Sequence, residues 1–293
     1  MEAPLVEQVR SFNRTVAERV GVLNDHYLGR DHPYGEARLL WEIGTVGAEV
    51  RELRRRLGLD SGYVSRLLRS LEAQGLITVG PSSSDGRVRL VRLTEVGRRE
   101  RAELDRRADA YARSLLEPLS ERQREKLVAA MAQVERLLIA SLVTITPADP
   151  TSAAIKWCFA RYFAELDERF EAGFDPTRGI QAHAHELTPP VGLALVARLR
   201  EEPIGCGAIK FHETAPAEIK RMWVAPQARG LGLGRRLLEE LEGHAREAGV
   251  TTLHLETNHA LVEAIQLYRG SGYQEVAAFN DEPYADHWFE KHL

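Results

Sequence analysis

The chain has 293 residues, about twice the ~150 residues of a typical domain, so we expect two domains. Hydrophobic residues make up 44% and charged residues 28%, which excludes a wholly disordered, collagen-like or low-complexity chain. No run approaches the ~18 uninterrupted apolar residues of a membrane span, and the first 20 residues lack the apolar core of a secretory signal. The two cysteines, Cys158 and Cys206, are too few for a disulfide framework or a zinc quartet. We therefore expect a cytoplasmic protein without a metal site.

The net charge of −4 is divided unevenly along the chain. The first 145 residues carry 24 Lys and Arg against 21 Asp and Glu, a charge of +3, whereas the remainder carries 15 against 22, a charge of −7. Over residues 48–113 the basic excess reaches +5, from 15 basic and 10 acidic residues. Many solvated helices show an excess of this size, so it permits a nucleic-acid partner for the first half without requiring one.

A loop is predicted between two halves that differ in their predicted secondary structure. Residues 144–152, Thr-Ile-Thr-Pro-Ala-Asp-Pro-Thr-Ser, place two prolines among small polar residues, which is typical of a loop or domain junction. The elements before this loop are mostly helical, whereas strands and helices alternate after it. We expect one domain over residues 1–145 and a second over residues 146–293.

Helices are predicted in the first half wherever apolar residues recur at helical spacing. They cover residues 3–28, 36–43, 48–57 and 61–77. We expect the first to bury one face, Gly58 to close the third in a left-handed cap, and Asp60 or Ser61 to begin the fourth. The fourth helix has one apolar stripe and a polar side. The polar side carries Ser61, Tyr63, Ser65, Arg66 and Arg69.

A basic β-hairpin is predicted after the fourth helix. Ile77 and Val79 precede the turn sequence Ser-Ser-Ser-Asp-Gly, and alternating apolar and arginine residues follow over 87–93. Two short helices, a polar third helix and a basic hairpin describe a winged helix-turn-helix. In such a domain the third helix enters the major groove and the hairpin arginines meet phosphates or the minor groove. A helix of this kind is also common as a solvated face, and a winged helix can serve protein contacts instead.

Residues 1–145 resemble a MarR-type transcriptional regulator. The resemblance rests on Ser-Gly-Tyr-Val-Ser-Arg at residues 61–66, Leu-Glu-Ala-Gln-Gly-Leu-Ile at residues 71–77 and Asp-Gly-Arg at residues 85–87. It implies a homodimer formed by residues 3–28, 94–116 and 120–142, bound to a palindromic double-stranded DNA operator. The implied DNA contacts are Ser61, Tyr63, Ser65, Arg66, Arg69, Asp85, Arg87 and Arg89.

The strongest motif of the second half is a glycine-rich loop between a predicted strand, 221–224, and a predicted helix, 235–245. Its alternating glycines let backbone N–H groups converge on an anion at a helix N-terminus, where the helix dipole also favours negative charge. We expect a pyrophosphate ligand there. The loop glycines are Gly230, Gly232 and Gly234, and the nearby cations are Arg229, Arg235 and Arg236. A Walker loop would need Gly-Lys-Ser/Thr, which is absent, and a Rossmann loop would need a different spacing.

Residues 224–234, Val-Ala-Pro-Gln-Ala-Arg-Gly-Leu-Gly-Leu-Gly, resemble the acetyl-CoA signature of GNAT acetyltransferases, Gln/Arg-x-x-Gly-x-Gly/Ala. The family's downstream element matches at Asn258, Ala264, Tyr268, Gly272 and Tyr273. The resemblance spans residues 150–293 and implies acetyl-CoA as co-substrate. The expected fold class is therefore multi-domain, a mostly α winged helix-turn-helix domain followed by an α+β GNAT domain with a central mixed β-sheet.

The resemblance also implies roles for individual residues. A backbone N–H near Val224 would bind the thioester oxygen, Tyr268 would protonate the departing thiolate, and Asn258 would hydrogen-bond the pantetheine arm or a bridging water. An isolated tyrosine beside Leu267 would more commonly be a packed core residue. The implied cofactor-binding set is Met222, Trp223, Val224, Arg229, Gly230, Leu231, Gly232, Leu233, Gly234, Arg235, Asn258 and Tyr268.

The general base stays open at this stage. Glu218 lies in a strand expected to line the acceptor side, and Glu256 follows the next strand, so either carboxylate can take a proton from the amine. Glu218 is favoured slightly, and His212 and His254 are less favoured than either. A glutamate at a strand end is also common on a protein surface.

The acceptor is the least specified part of the site. Phe163 and Arg161 on the first helix and residues 284–291 are candidates to line its pocket, although aromatic residues in a last strand more often belong to the core. Arg221 would suit a substrate carboxylate. We expect a small amine or amino-acid-like acceptor. The alternatives are an acetyl-CoA sensor without turnover, a protein lysine acetyltransferase, and a DNA-binding module that serves only dimerisation.

Overall fold

The computed structural model describes residues 3–81, 88–180, 182–213 and 216–293. Its contacts divide the chain into two compact units, Met1–Val128 and Ala129–Leu293. The predicted boundary at residue 145 stays a prediction. Within the described ranges, no helix is both long and apolar enough to cross a membrane.

The first unit combines helices with a small antiparallel sheet. Its elements are α1 (Ala3–Val20), α2 (Tyr34–Ile43), β1 (Ala48–Glu49), α3 (Val50–Leu57), α4 (Ser61–Ala73), β2 (Ile77–Pro81), β3 (Arg89–Leu93), α5 (Glu95–Leu116) and the beginning of α6 (Glu121–Ser141). The strand order is β1-β3-β2. Helices α3 and α4 followed by the β2–β3 hairpin are the predicted winged helix-turn-helix.

Local capping explains where α3 and α4 begin and end. Gly58 follows α3 in the left-handed conformation, with φ +64°, as predicted. Asp60 is the N-cap of α4, because its Oδ1 accepts a hydrogen bond of 2.9 Å from the backbone N–H of Tyr63. Helix α4 ends at Ala73 and not at residue 77, since Gly75 adopts φ +70°. The apolar stripe of α4 is buried as expected, at Val64, Leu67, Leu68 and Leu71.

The first helix differs from its prediction in length and in burial. Helix α1 ends at Val20, where Gly21 adopts φ +71°, so one continuous helix to residue 28 is wrong. The predicted buried face is also wrong for the single chain, because Tyr27 is the only apolar residue of 3–28 that is buried. The exposed large apolar residues are Leu5, Val6, Val9, Phe12, Val16 and Leu23.

The second unit is built on a seven-stranded mixed sheet of order β4-β5-β6-β7-β8-β10-β9. Its elements are β4 (Val143–Pro147), α7 (Ala153–Arg169), β5 (Gly192–Leu199), β6 (Glu202–Lys210), β7 (Ala217–Val224), α8 (Leu233–Glu247), β8 (Thr252–Thr257), α9 (Val262–Gly270), β9 (Gln274–Val276) and β10 (His287–His292). Strands β7 and β8 are parallel and the other neighbours are antiparallel. The predicted α+β fold with a central mixed sheet is confirmed.

Helices α7 and α8 cover opposite faces of β6. A side chain at Gly205 would meet Leu237 of α8 and one at Gly207 would meet Leu241, whereas the thiol of the intervening Cys206 interacts with that of Cys158 on α7. Successive residues of a strand point to opposite faces, so the two helices lie on different sides of the sheet. Both cysteines are free and buried, and they act here as small core residues.

Part of the predicted loop over residues 144–152 is a strand. Strand β4 pairs with β5 from Val143 opposite Leu199 to Pro147 opposite Leu195. A proline is tolerated at this position because β4 is at the edge of the sheet, where a missing N–H leaves no ladder bond unmade. Ser152 then begins α7 as its N-cap, with its side chain accepting from the N–H of Ile155.

The parallel strands β7 and β8 separate toward their carboxyl ends. Their pairing reaches Glu218 and His254 and goes no farther. On the other side of β7, the ladder with β6 is interrupted by a bulge, where Arg221 and Met222 together face Gly207. Arg221 adopts φ +53°, a left-handed conformation that is uncommon outside glycine. The bulge lies shortly after the last pair with β8, and the unpaired ends of the two strands enclose a wedge.

Gly192 begins β5 where no side chain fits, since a Cβ would lie 2.0 Å from the carbonyl oxygen of Glu186 and 2.7 Å from that of Ile209. We expect Gly192→Ala to lower the free energy of unfolding of the second unit by about 1–3 kcal/mol, as overpacking does. Gly243→Ala in α8 is the matched control, because nothing lies within 4 Å of its Cβ. Alanine favours a helix, so this variant should gain up to about 1 kcal/mol. Urea unfolding followed by circular dichroism compares them, and equal stabilities would contradict the packing described.

Candidate functional site

A cavity and a groove meet at the wedge between β7 and β8. The wedge cavity, of about 310 Å³, is lined by residues that include Arg221, Glu256 and Tyr284. The glycine-loop groove, of about 410 Å³, is lined by residues that include Gly230, Gly232 and Arg235. Both are lined in part by Tyr162, Met222 and Tyr268. Leu166, Leu261 and Ala264 line both spaces as well, so a molecule in the groove and a second molecule in the cavity would meet at this shared wall.

The glycine loop leads into the N-terminus of α8. Gly230 and Gly232 have φ +78° and φ +72°, and a Cβ at either position would meet no atom within 4 Å. Gly234 differs, because its Cβ would contact the side chain of Leu267 at 3.3 Å and so limit the approach of α9 to α8. The first N–H groups of α8 have no partners within the helix and its dipole favours negative charge. The groove is thus suited to an anion.

Most of the predicted cofactor-binding residues line this groove. They are Met222, Trp223, Val224, Arg229, Gly230, Gly232, Leu233, Gly234, Arg235 and Tyr268. Leu231 is not among the lining residues and packs, partly buried, against the core. Arg236 was predicted beside the anion, but its guanidinium donates to the carbonyls of Ala140 at 2.8 Å and Val143 at 2.9 Å. That arginine fixes the chain before β4 instead.

Glu165 of α7 holds the glycine loop in place. It accepts hydrogen bonds from Nε1 of Trp223 at 2.9 Å and from Nη2 of Arg229 at 2.5 Å, and Arg229 Nε donates to the carbonyl of Val224. Burial acts to raise the pKa of Glu165, but the bonds from Arg229 and Trp223 lower that pKa overall. Sequence reasoning missed Glu165, because only the tertiary contact distinguishes it from other acidic residues of α7. Arg229 is partly neutralised by it.

Lys220 links two carboxylates at the wedge. Its Nζ lies 2.8 Å from Oε2 of Glu218 and 2.5 Å from Oε1 of Glu256. Burial acts to lower the pKa of Lys220, but the two glutamates raise that pKa overall, so the ammonium stays charged. Burial likewise acts to raise the pKa of Glu218, and Lys220 and His212 lower it overall. The side chains of this group are fixed in position by charge-assisted hydrogen bonds.

The two predicted bases differ in where they face. Glu256 lines the wedge cavity, and its Oε2 is buried without a hydrogen-bond partner among the described residues. Glu218 is not among the cavity-lining residues; its carboxylate contacts Lys220 and Nε2 of His212, the latter at 3.1 Å. The less favoured His254 is paired with Glu290 at 2.9 Å. An unpartnered buried carboxylate oxygen is an available proton acceptor, and Glu256 presents one to the cavity.

Tyr268 of α9 lies at the junction of the cavity and the groove, with 6% of its surface exposed. Burial, and then the charge of Glu256, raise its pKa above the ordinary value of 10.0, so the phenol keeps its proton in neutral solution. Its ring also packs 5.9 Å from the rings of Tyr273 and Phe289. Tyr162 of α7 also lies at the junction of the cavity and the groove, and burial likewise raises its pKa. No motif in the sequence distinguishes Tyr162 from the other aromatic residues of α7.

Asn258 lines the wedge cavity rather than the groove. Its Nδ2 donates to the carbonyl of Tyr284 at 2.8 Å and its Oδ1 accepts from the N–H of Ala260 at 2.9 Å. Asn258 therefore ties the end of β8 to the loop before β10. Its predicted contact with a pantetheine arm stays a prediction.

The predicted acceptor residues are only partly brought together. Phe163 lines the wedge cavity, whereas Arg161 does not and its guanidinium lies over the ring of Trp157 at 5.5 Å. Of residues 284–291, Tyr284 and Ala285 line the cavity, and the chain continues from His287 as strand β10. Arg221 lines it as well.

The predicted DNA contacts of α4 lie on its solvent side. Ser61, Ser65, Arg66 and Arg69 are exposed and Tyr63 is half-buried, with the Arg66 guanidinium 5.6 Å from its ring. No described acidic residue lies within ion-pair distance of Arg66 or Arg69, and Arg89 in β3 is exposed. The remaining two predicted contacts, Asp85 and Arg87, lie outside the described residues.

Comparisons with known proteins match each half separately. The model of the acetyltransferase (GNAT) family matches residues 154–273, and that of the MarR family matches residues 31–88. N-alpha-acetyltransferase RimI of Mycobacterium tuberculosis is 34% identical over 129 residues, which are 43% of this chain and 79% of the relative. An IAA acetyltransferase of Azospirillum brasilense is 46% identical over 86 residues, 29% of this chain and 56% of the relative. The organic hydroperoxide resistance transcriptional regulator of Bacillus subtilis is 44% identical over 59 residues, 20% of this chain and 39% of the regulator.

The chain spans little more than half the length of several curated relatives that it matches. The RimI relative is covered over most of its length, and the GNAT match includes the glycine loop, Glu256 and Tyr268. GNAT acetyltransferases use acetyl-CoA, and the groove at α8 has the anion-binding character that this ligand needs. Through its second half, which follows a winged helix-turn-helix that the MarR family model matches over residues 31–88, the chain belongs to the GNAT acetyltransferase family.

Proposed function

We propose that the second half transfers an acetyl group from acetyl-CoA to the nitrogen of a small amine or amino-acid-like acceptor. The observation that carries this proposal is the meeting of the glycine-loop groove with the wedge cavity at Tyr162, Met222 and Tyr268. One space is suited to an anionic ligand and the other contains a buried carboxylate. Holding two reactants in such adjoining sites makes their reaction effectively unimolecular.

The groove fits the pyrophosphate of acetyl-CoA. The open space at Gly230 and Gly232 leaves the loop amides free to approach a phosphate, which side chains at these positions would obstruct. Acetyl-CoA supplies the acetyl thioester when it is bound. Beyond the bulge β7 is no longer paired with β8, so a backbone N–H near Val224 is the proposed donor to the thioester oxygen.

Glu256 is the proposed general base and Tyr268 the proposed general acid. The free Oε2 of Glu256 takes the proton that the amine loses as its bond to the acetyl carbon forms, directly or through water. Tyr268, which holds its proton in neutral solution, gives it to the departing sulfur. Glu218 acts indirectly, because it holds Lys220 in contact with Glu256.

Acetyl-CoA consumption with a panel of primary amines tests the activity and these roles together. Glu256→Gln removes the base and keeps the side-chain shape, and Tyr268→Phe removes only the hydroxyl, so each should lower kcat by about 100-fold or more. Glu218→Gln is the matched control for charge and should lose much less. Turnover by Tyr268→Phe equal to that of the unchanged protein would contradict the acid role. Tight CoA binding without turnover of any amine would favour a sensor over an enzyme.

A matched pair of variants at the two ends of α8 tests whether acetyl-CoA binds in the groove. Gly232 and Gly249 lie at opposite ends of the helix, and both have φ above +70° with open space at the Cβ. Alanine at either position should cost about 1 kcal/mol of stability from left-handed strain. Only Gly232→Ala should also weaken acetyl-CoA binding, by about tenfold, because its Cβ enters the groove. Calorimetric titration with acetyl-CoA measures the affinity of each variant. Equal affinities of the two variants would contradict the binding of acetyl-CoA in the groove.

We propose that the first half binds double-stranded DNA as a homodimer. Support comes from the exposed face of α4, whose arginines have no described acidic partner and so are free to meet phosphates. The unpaired apolar residues of α1 support a second copy of the chain as its cover, since such a face is costly in water. A regulator of this kind would connect acetyl transfer to the control of genes.

Salt-dependent binding to a duplex from the gene's own promoter region tests the DNA proposal. Arg66→Ala and Arg69→Ala should each weaken binding about tenfold and reduce the slope of log affinity against log salt by about one. Arg38→Ala in α2 is the control, because it removes one exposed arginine that is paired with Glu42 and lies outside the segments expected to form the dimer. Fluorescence anisotropy gives both quantities. Binding that is unchanged in the α4 variants would overturn the proposed contact surface. The absence of any sequence-selective binding would favour a module that serves only dimerisation.

A further inference from the structure

Arg221 is a largely buried cation at the wedge cavity with no ion-pair partner among the described residues. Its Nη2 donates to the carbonyl of Ala182 at 2.7 Å, and its guanidinium carbon lies 4.5 Å from the ring centre of Phe159 and 5.2 Å from that of Phe163. Burial lowers the pKa of Arg221, yet a guanidinium remains charged in proteins. Buried charges are normally paired, so this cation has donors left for an anion that the chain does not supply.

The bulge in β7 places this cation at the same cavity as the proposed base. Arg221 has the left-handed φ of +53°, and strained backbone of this kind is kept mainly at functional sites. The preceding residue, Lys220, contacts Glu256 at 2.5 Å, and both Arg221 and Glu256 line the same cavity. A cation and a carboxylate thus enter the wedge cavity from neighbouring positions of β7 and β8. An α-amino acid carries the complementary carboxylate and amine on one carbon.

Aromatic rings form another wall of the wedge cavity. The ring centres of Phe163 and Phe174 are 5.7 Å apart, those of Phe174 and Tyr284 4.8 Å, and those of Phe170 and Tyr284 5.9 Å. Glu282 also lines the cavity, but its carboxylate already accepts hydrogen bonds from backbone N–H groups, one of them from Ile180 at 2.6 Å. This wall therefore favours an apolar group.

The size of the cavity limits what it can hold. Its volume of about 310 Å³ lies at the lower end of the ~300–1,000 Å³ found for small-molecule sites. A single amino acid suits that space better than an extended peptide does. A free carboxylate for Arg221 is also absent from the first residue of a peptide, whose carbonyl is part of an amide.

We infer, on the basis of the proposed function, that the acceptor is the α-amino group of a free amino acid with an aromatic or large apolar side chain. Arg221 binds its carboxylate, the aromatic wall holds its side chain, and Glu256 faces its nitrogen. The neutral amine nitrogen forms a bond to the acetyl carbon and loses one proton to Glu256, while the carbon–sulfur bond breaks and the sulfur of CoA leaves with one proton from Tyr268. Proton exchange with water then restores Glu256 and Tyr268. The products are an N-acetylated amino acid and CoA.

A panel of matched acceptors tests this inference with the full chain. We expect kcat/KM for L-phenylalanine to exceed that for L-phenylalaninamide and 2-phenylethylamine by at least about tenfold, because both lack the carboxylate. L-Alanine keeps the carboxylate and lacks the ring, so its kcat/KM should be lower than that of L-phenylalanine by a similar factor. Equal or better use of 2-phenylethylamine, or of a peptide beginning with phenylalanine, would overturn the inference and leave the proposed function intact. Turnover of no amine would contradict the proposed function itself.

Variants of Arg221 separate binding of the carboxylate from folding. Arg221→Gln should raise KM for L-phenylalanine about tenfold or more and lower kcat/KM for 2-phenylethylamine by a much smaller factor, whereas a misfolded protein would lose both activities to the same extent. Arg221→Lys keeps the charge and should recover part of the preference. Arg161→Gln, on α7 outside the cavity, should behave as the unchanged protein. If the ratio of kcat/KM for L-phenylalanine to kcat/KM for 2-phenylethylamine were the same in all these variants, the role of Arg221 would be overturned.

Discussion

The bulge in β7 is the constraint on which the candidate site depends. Because Arg221 and Met222 together face one residue of β6, β7 turns away from β8 and the two parallel strands part after Glu218. The space between them becomes the wedge cavity, and Tyr268 of α9 borders it on the side of the groove. Without the bulge, continued pairing of β7 with β8 would leave no room for an acceptor beside Glu256.

Charge in the second half is organised locally, so its net charge of −7 does not exclude a polyanionic ligand. Two arginines near the glycine loop are engaged within the chain, Arg229 by Glu165 and Arg236 by backbone carbonyls. The loop amides and the N-terminus of α8 therefore carry more of the anion binding than the number of arginines indicates. In the wedge cavity, Lys220 fixes two carboxylates and Arg221 keeps donors for an anion.

Local signals in the sequence predicted much of the fold, whereas features that depend on strand pairing or distant contacts were missed. Glycines mark the loop before α8, and Asp60 and Gly58 mark the helix ends, because each acts through its own backbone. Glu165, Tyr162 and the bulge at Arg221 depend on neighbours far away in the chain. The edge strand ending at Pro147 and the exposed face of α1 were misread for the same reason, since composition reveals neither a sheet edge nor the absence of a covering partner.

The central claim is that acetyl-CoA and its acceptor meet at Tyr268. A crystal structure of the protein with CoA and N-acetyl-L-phenylalanine tests it most directly. We predict the pyrophosphate on the amides of residues 230–234, the CoA sulfur within hydrogen-bond distance of the Tyr268 hydroxyl, and the product carboxylate on Arg221. A CoA sulfur remote from Tyr268, or a pyrophosphate away from the N-terminus of α8, would contradict the account.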